Sequence, residues 1–185
     1  MSKIIAFAGS PRQKEGHTWA LLNQLIKGAE GNNATVKTYN LNDPGIRGCQ
    51  GCFYCRQHPA CCIDDALKTA YEDIASADAL VVTSPIYFAD VSGQTKIWLD
   101  RMFPMLDGVS FAPRHPGKRV ATIFSQGDAN TDRFEPAIKR FHGFLQVFGW
   151  KLEGSLVCSG VSSSDFSLSG QLLEQALQLG RQLAG

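Results

Sequence analysis

Apolar positions along the chain alternate between a short, continuous spacing and a helical one. Lys3 to Ala8 holds the run Ile4-Ile5-Ala6-Phe7, which predicts a buried strand. A polar, glycine-containing loop follows, and then Leu21, Leu22, Leu25, Ile26 and Ala29 recur on one helical face. Gly28, Gly31, Asn32 and Asn33 supply stop signals, and Thr35 to Leu41, rich in β-formers, predicts a second strand. The segment from Asn42 to Cys62 follows neither period. Asp64 is read as the N-cap of a short helix reaching about Ser76. Ala79-Leu80-Val81-Val82 predicts a strand covered on both faces and ended by Ser84-Pro85. A helix is expected from about Val91 to Met105, with Leu99, Met102, Phe103 and Leu106 at helical spacing and Pro104 near its end. Val120 to Phe124 predicts a fourth strand, Phe134 to Phe148 a helix, Leu152 to Cys158 a fifth strand and Leu172 to Leu183 a last helix.

Five strands alternating with five helices imply an α/β fold: a five-stranded parallel sheet with right-handed crossovers and helices on both faces. The expected strand order is 2-1-3-4-5, with a ligand crevice at the C-terminal strand ends where that order reverses. At 185 residues and 44% hydrophobic content the chain is long enough for one such domain. Eighteen basic against seventeen acidic residues, with no long run of either sign, leave no footprint for nucleic acid or an anionic membrane. A small-molecule partner is expected instead. The first apolar stretch falls far short of the roughly 20 residues of a membrane span and lacks a charged leader, so the expected location is the cytoplasm.

Gly9-Ser10-Pro11-Arg12-Gln13-Lys14-Glu15-Gly16-His17-Thr18 lies between the first strand and the first helix, where backbone N–H groups and a helix N-terminus converge on an anion. Gly9 and Gly16 permit close approach, Ser10 and Thr18 offer hydroxyls, and Arg12 adds a charged fork, so a phosphate is the natural occupant. No Gly-Lys-Ser/Thr ending is present, which argues against a nucleoside-triphosphate loop, and no G-x-G-x-x-G, which argues against a dinucleotide loop. An ordinary capped helix after a polar loop is the plainer alternative.

Gly9-Ser10-Pro11-Arg12…Gly16-His17-Thr18 together with Ser84-Pro85-Ile86-Tyr87-Phe88…Asp100-Arg101 resembles the NADPH-dependent FMN reductase and iron–sulfur flavoprotein families over most of the chain. The resemblance implies a flavodoxin-like three-layer α/β/α sandwich, a single FMN-binding domain over residues 1–185 with a cysteine-rich insertion at about 42–63. It implies that Ser10, Arg12, Gly16, His17 and Thr18 bind the FMN phosphate and that Pro85, Ile86, Tyr87 and Phe88 face the flavin. His17 stands where the families more often carry Asn. Ser125, Gln126 and Gly127, after the fourth strand, are implied as further ring contacts, although Ser-Gln-Gly-Asp also makes a plain turn. No catalytic side chain is demanded, because the flavin carries the redox chemistry.

Five of the six cysteines lie between positions 49 and 62. Cys49-x2-Cys52-x2-Cys55-x5-Cys61 resembles the ligand spacing of the iron–sulfur flavoproteins, which carry a [4Fe–4S] cluster beside FMN. The compact C-x2-C-x2-C suits a cubane, whereas structural zinc usually joins two C-x2-C knuckles across a longer gap. Cluster, zinc and free or redox-active thiols all stay open, as does the choice of Cys61 or Cys62 as fourth ligand. His58 lies among the cysteines as a further candidate ligand. Cys158 reads as a small buried hydrophobe, Asp64 and Asp65 as helix-start charges, and Asp100-Arg101 as an intrahelical or interface pair.

The leading expectation is an FMN-dependent oxidoreductase passing electrons from NAD(P)H or a ferredoxin-type donor to a small acceptor. The alternatives are a flavodoxin-like electron carrier serving only protein partners, and a redox-sensing or metal-binding module without flavin. A homodimer or homotetramer is implied by the family, with Trp98, Phe103, Phe141, Phe144 and Phe148 as candidate interface aromatics.

Overall fold

The computed structural model describes residues 1–162 and 166–185. In chain order its elements are β1 (Lys3–Ala8), α1 (His17–Glu30), β2 (Thr35–Asn40), α2 (Ala70–Ser76), β3 (Ala79–Tyr87), β4 (Asp90–Val91), α3 (Gly93–Asp100), β5 (Arg119–Ser125), α4 (Glu135–Val147), β6 (Lys151–Cys158) and α5 (Gly170–Ala184). The parallel sheet has the order β2-β1-β3-β5-β6, which is the expected 2-1-3-4-5 in the five-strand count. The additional strand is β4, two residues long, paired antiparallel with the end of β3.

Alternation along the central strands divides the core into two layers. Ile4, Ala6, Ala79, Val81, Ala121 and Ile123 face α1 and α5, while Ile5, Phe7, Leu80, Val82, Val120 and Phe124 face α2, α3 and α4. Small side chains on the first face let α1 and α5 settle close to the sheet and to each other. A Cβ at Gly28 would lie 2.0 Å from the Leu177 carbonyl oxygen, and one at Gly180 1.9 Å from that of Leu25. Trp98, Phe141 and Phe148 are buried in the second layer, so core packing accounts for three of the five aromatics considered as interface residues. Phe144 is the exposed member.

Several boundaries differ from the sequence reading. Ser84-Pro85 does not end β3, which runs through to Tyr87. The Gly9 N–H donates to the Thr83 carbonyl, so alternation turns the Pro85 nitrogen to the same side, beyond the last residue of β1. No ladder bond is lost there, and proline is tolerated. Phe88 and Ala89 then form a two-residue turn, both with positive φ (47° and 62°), before β4. The helix expected from Val91 starts at Gly93, because the Ser92 side chain accepts the Thr95 N–H and caps it. It ends at Asp100, with a 3-10 turn over Phe103–Met105 completing the expected span. The α2 helix begins at Ala70 rather than just after Asp64, and it is Asp65 that accepts the Leu67 N–H.

Asp65 also meets Arg101, across 36 residues of sequence. The two side chains are buried, with Arg101 Nη1 2.7 Å and Nη2 3.2 Å from the carboxylate oxygens, and Nη1 also donates to the Arg47 carbonyl at 2.8 Å. Burial pushes the Asp65 carboxyl up, and the guanidinium with the N–H groups of Arg47 and Leu67 outweighs it, holding the carboxyl below its usual range. Arg101 is therefore neither paired with Asp100 nor at an interface. Asp100 pairs with Lys96 one helical turn away.

At the other end of the sheet, Asp73 of α2 receives Lys3 at 2.8 Å, Lys37 and the Tyr39 hydroxyl. Burial acts to raise its pKa, but these three donors hold it well below the carboxylate range. A depressed folded-state pKa contributes stability above the unfolded value, about 3.9, that is lost as pH falls further. Asp73→Asn is accordingly expected to lower the denaturation midpoint at pH 7, and its difference from the parent should shrink as pH falls below the usual carboxylate range, because the native Asp73 is protonated only well below that range. For the buried pair, Arg101→Met alone is expected to cost about 3–5 kcal/mol in urea unfolding, because it strands the Asp65 charge. Asp65→Asn combined with Arg101→Met should recover a substantial part of that loss.

Candidate functional site

The C-terminal ends of β1, β3 and β5 and the loops that leave them close around a cavity of about 840 Å³, within the size range of pockets for small ligands and cofactors. From the first come Ser10, Arg12, Gly16 and His17; from the second Pro85, Ile86, Tyr87 and Phe88; from the third Ser125, Gln126 and Gly127. Of the residues expected at a ligand, Thr18 alone is not on the wall, being buried in the first turn of α1. Val161 and Ser162, from the loop after β6, complete the lining and were missed. Their signal was positional: Gly160-Val161-Ser162 follows a strand at the same sheet edge.

Gly16 is the N-cap of α1, and no side chain caps this helix. The start of this helix, Gly16 and His17, lies at the cavity wall with Arg12 beside it, a partial positive charge left for an anion. Burial and the neighbouring Arg12 charge lower the His17 pKa, and its ring meets Phe166 edge-on at 4.7 Å. On the opposite wall Gln126 is buried, and its amide donates to the Asp128 and Asn130 carbonyls at 3.3 and 2.6 Å. These bonds fix the amide and leave Oε1 without a partner among the described residues. A buried acceptor held this way is suited to a ligand N–H.

The loops are locked to one another by buried hydroxyls. Ser84 Oγ donates to the Pro85 carbonyl at 2.8 Å and accepts the Ser92 N–H at 2.9 Å, while Ser92 Oγ donates to the Gly9 carbonyl at 2.7 Å. Gly9 is wedged against this group: a Cβ would lie 1.9 Å from Thr95 Oγ1 and 2.8 Å from the Thr83 carbonyl. At the rim, Tyr87 is half exposed and Phe88 fully so, and the left-handed conformations of Phe88 and Ala89 are unfavourable for residues bearing a Cβ.

The cysteine loop is fastened beside this cavity. Asn42 donates to the Pro11 carbonyl at 3.4 Å and accepts from Gln94 at 3.1 Å, and the Arg101–Asp65 pair holds the segment by Arg47 at one end and Asp65 at the other. Cys49 Sγ accepts the Gly51 N–H at 3.5 Å, and a backbone N–H from Tyr54 lowers the Cys52 pKa, helped by the Cys62 thiol. Burial pushes the Cys55 thiol up, and the charges of Cys61, Cys49 and Cys52 add to that. Among the described residues, no three Cys, His, Asp or Glu side chains converge on one point where a single metal ion would sit. His58 stacks on Tyr54 at 3.7 Å and its Nδ1–H donates to the Tyr54 carbonyl, so local packing occupies it. Cys158 is buried in β6, its pKa pushed up to about 11 by burial.

The sequence profile of the NADPH-dependent FMN reductases matches residues 2–147. The chain belongs to the NADPH-dependent FMN reductase family. The matched span contains the first three cavity loops and the cysteine segment, and it stops short of β6 and the Val161–Ser162 wall. An iron–sulfur flavoprotein of Methanocaldococcus jannaschii is 27% identical over 145 residues, covering 78% of this chain and 72% of its own. An FMN-dependent NADH:quinone oxidoreductase of a Shewanella species is 27% identical over 170 residues, covering 80% of this chain and 83% of its own. The solved NAD(P)H:quinone oxidoreductase from Methanothermobacter marburgensis superimposes with a TM-score of 0.77 over 100% of this chain and 98% of its own, at 20% identity, and so shares the flavodoxin-like fold.

In this FMN reductase family member, Gly9→Ala is expected to destabilise by at least about 1–3 kcal/mol, as overpacking of a closed site does. Denaturant unfolding reads that loss, and Gly93→Ala, where a Cβ meets nothing within 4 Å, serves as the control.

Proposed function

We propose that the protein is an FMN-dependent oxidoreductase that takes electrons from NAD(P)H and delivers them to a small acceptor. The observation that carries this reading is the convergence on one cavity of an uncapped helix N-terminus with Arg12 and, across from it, the fixed and unpartnered Gln126 Oε1. One end suits a phosphate and the other a polar ring edge, and family membership supplies FMN as the ligand having both.

In this reading Ser10, Arg12, Gly16, His17 and the backbone at Thr18 surround the phosphate. Pro85, Ile86, Tyr87 and Phe88 lie along the isoalloxazine, and Ser125, Gln126 and Gly127 approach its polar edge. Bound FMN supplies two-electron uptake and one- or two-electron release. The chain's own work is positioning: the Ser84–Ser92–Gly9 bonds fix the spacing of phosphate loop and ring loop, and Tyr87 and Phe88 restrict water at the rim.

The thiol-rich loop fits a [4Fe–4S] cluster in its donor chemistry, since backbone N–H groups reach the Cys49 and Cys52 sulfurs, as they do the sulfurs of such clusters, and lower the Cys52 pKa. Cys49, Cys52, Cys55 and Cys61 would hold it. Cys61, half-buried against the core, is the better fourth ligand than exposed Cys62. The relatives named iron–sulfur flavoproteins support this ligand set, and a cluster would admit a ferredoxin-type donor.

Anaerobic purification with an absorption spectrum and flavin, iron and sulfide assays tests both cofactors. FMN near one per chain, bleached by NADPH or NADH, is expected. A bound flavin that neither nicotinamide reduces, but that ferredoxin does, would favour an electron carrier. Arg12→Ala should weaken FMN binding by about 10–100-fold, the worth of a charged hydrogen bond, and leave riboflavin binding unchanged. Equal weakening of both ligands would remove Arg12 from the phosphate site.

A further inference from the structure

The ligand set proposed above leaves one loop cysteine unused, and that cysteine makes the closest thiol contact in the segment. Cys62 Sγ lies 3.5 Å from Cys52 Sγ, and both residues are exposed. We propose that Cys52 and Cys62 are a redox-active pair that closes to a reversible disulfide, a modification distinct from the ligand role of Cys52.

The geometry favours this pairing over the other nine among the five loop thiols. Cys61 and Cys62 are adjacent but differ in setting: Cys61 packs against the core, while Cys62 reaches outward to Cys52. The intervening chain is folded back on itself by the left-handed Phe53, the 3-10 turn Tyr54–Arg56 and the Tyr54–His58 stack, which bring residues ten apart side by side. Closure requires the sulfurs to move from 3.5 Å to roughly 2.05 Å, a distance that χ1 rotation and small loop adjustments span. Neither residue lies in a helix or strand, so no ladder or helical bond opposes the movement.

The oxidant required is a hydroperoxide. The Cys52 sulfur attacks a peroxide oxygen; an S–O bond forms, the O–O bond breaks, and the leaving hydroxide takes up the thiol proton as water. The Cys62 sulfur then attacks the Cys52 sulfur, the S–S bond forms, the S–O bond breaks, and the second oxygen leaves as water with the Cys62 proton. Two thiols lose two electrons, and hydrogen peroxide is reduced to two waters. A dithiol reverses the product by exchange through a mixed disulfide. One consequence rests on the cluster reading: the disulfide withdraws Cys52 from the ligand set, so oxidation of the pair and loading of iron exclude each other.

The test uses the full chain, freed of iron by chelation, reduced, desalted, and treated with one equivalent of hydrogen peroxide before alkylation. Cleavage after Arg47, Arg56 and Lys68 separates the partners into peptides 48–56 and 57–68. The expected result is loss of two of the six alkylatable thiols, a linked 48–56/57–68 species whose fragments join Cys52 to Cys62, and full recovery by dithiothreitol. Cys62→Ser should abolish the link while binding as much iron as the parent on reconstitution. A link from Cys52 to any other cysteine, a link between two chains, or a linked species surviving in Cys62→Ser would overturn the proposal. Loss of iron from Cys62→Ser would overturn it too, by returning Cys62 to the ligand set. Failure of the cluster reading is seen separately, in the iron and sulfide content of the parent chain.

Discussion

The bond from the Ser92 hydroxyl to the Gly9 carbonyl joins two loops that sequence keeps 83 residues apart, and the cavity depends on it. Parallel strands end independently, so the loops that leave β1 and β3 have no ladder to hold their relative position. Here a buried hydroxyl supplies that hold, with the Thr95 hydroxyl and N–H satisfying its oxygen and Ser84 Oγ accepting the Ser92 N–H. The close approach needs a residue without a side chain at Gly9, which explains why glycine ends the first strand better than any phosphate contact does. Within this fixed frame, Gly16 and His17 at the start of α1 and Gln126 after β5 line one cavity. In the proposed reading, the distance between the phosphate end and the ring end is therefore a property of the packed scaffold rather than of mobile side chains.

A second, independent tie brings the cysteine segment to the same side of the sheet. The Arg101–Asp65 pair grips the loop near both ends, and Asn42 reaches the Pro11 carbonyl in the loop between β1 and α1. Long irregular segments owe their shape to such anchors, since they lack regular hydrogen bonding of their own. The proposed flavin and thiol chemistry thus share one frame, although the thiols lie in a segment that departs from the strand–helix alternation.

Much of this was readable from spacing. The continuous apolar runs of β1, β3 and β5 and the helical faces of α1, α4 and α5 fixed the layers, and loops at strand ends pointed to the cavity wall. The misreadings share a cause. Pro85 reads as a strand end in the sequence, but a lost N–H matters only on a side that has a neighbour, and sequence does not show that β1 has already stopped. Asp65 and Arg101 resembled local helix charges because their true partners lie 36 residues apart. Val161 and Ser162 carry no ligand-binding motif, and only the return of β6 to the sheet beside β5 brings them to the cavity.

The most direct measurement of the central claim is a crystal structure of the full chain with FMN bound. The phosphate is expected at the N-terminus of α1, contacted by Ser10 and Arg12, with the ring between the Pro85–Phe88 segment and Gln126 and an N–H of the ring on Gln126 Oε1. Flavin bound elsewhere, or bound here with its phosphate turned toward Gln126, would contradict the assignment of the two ends.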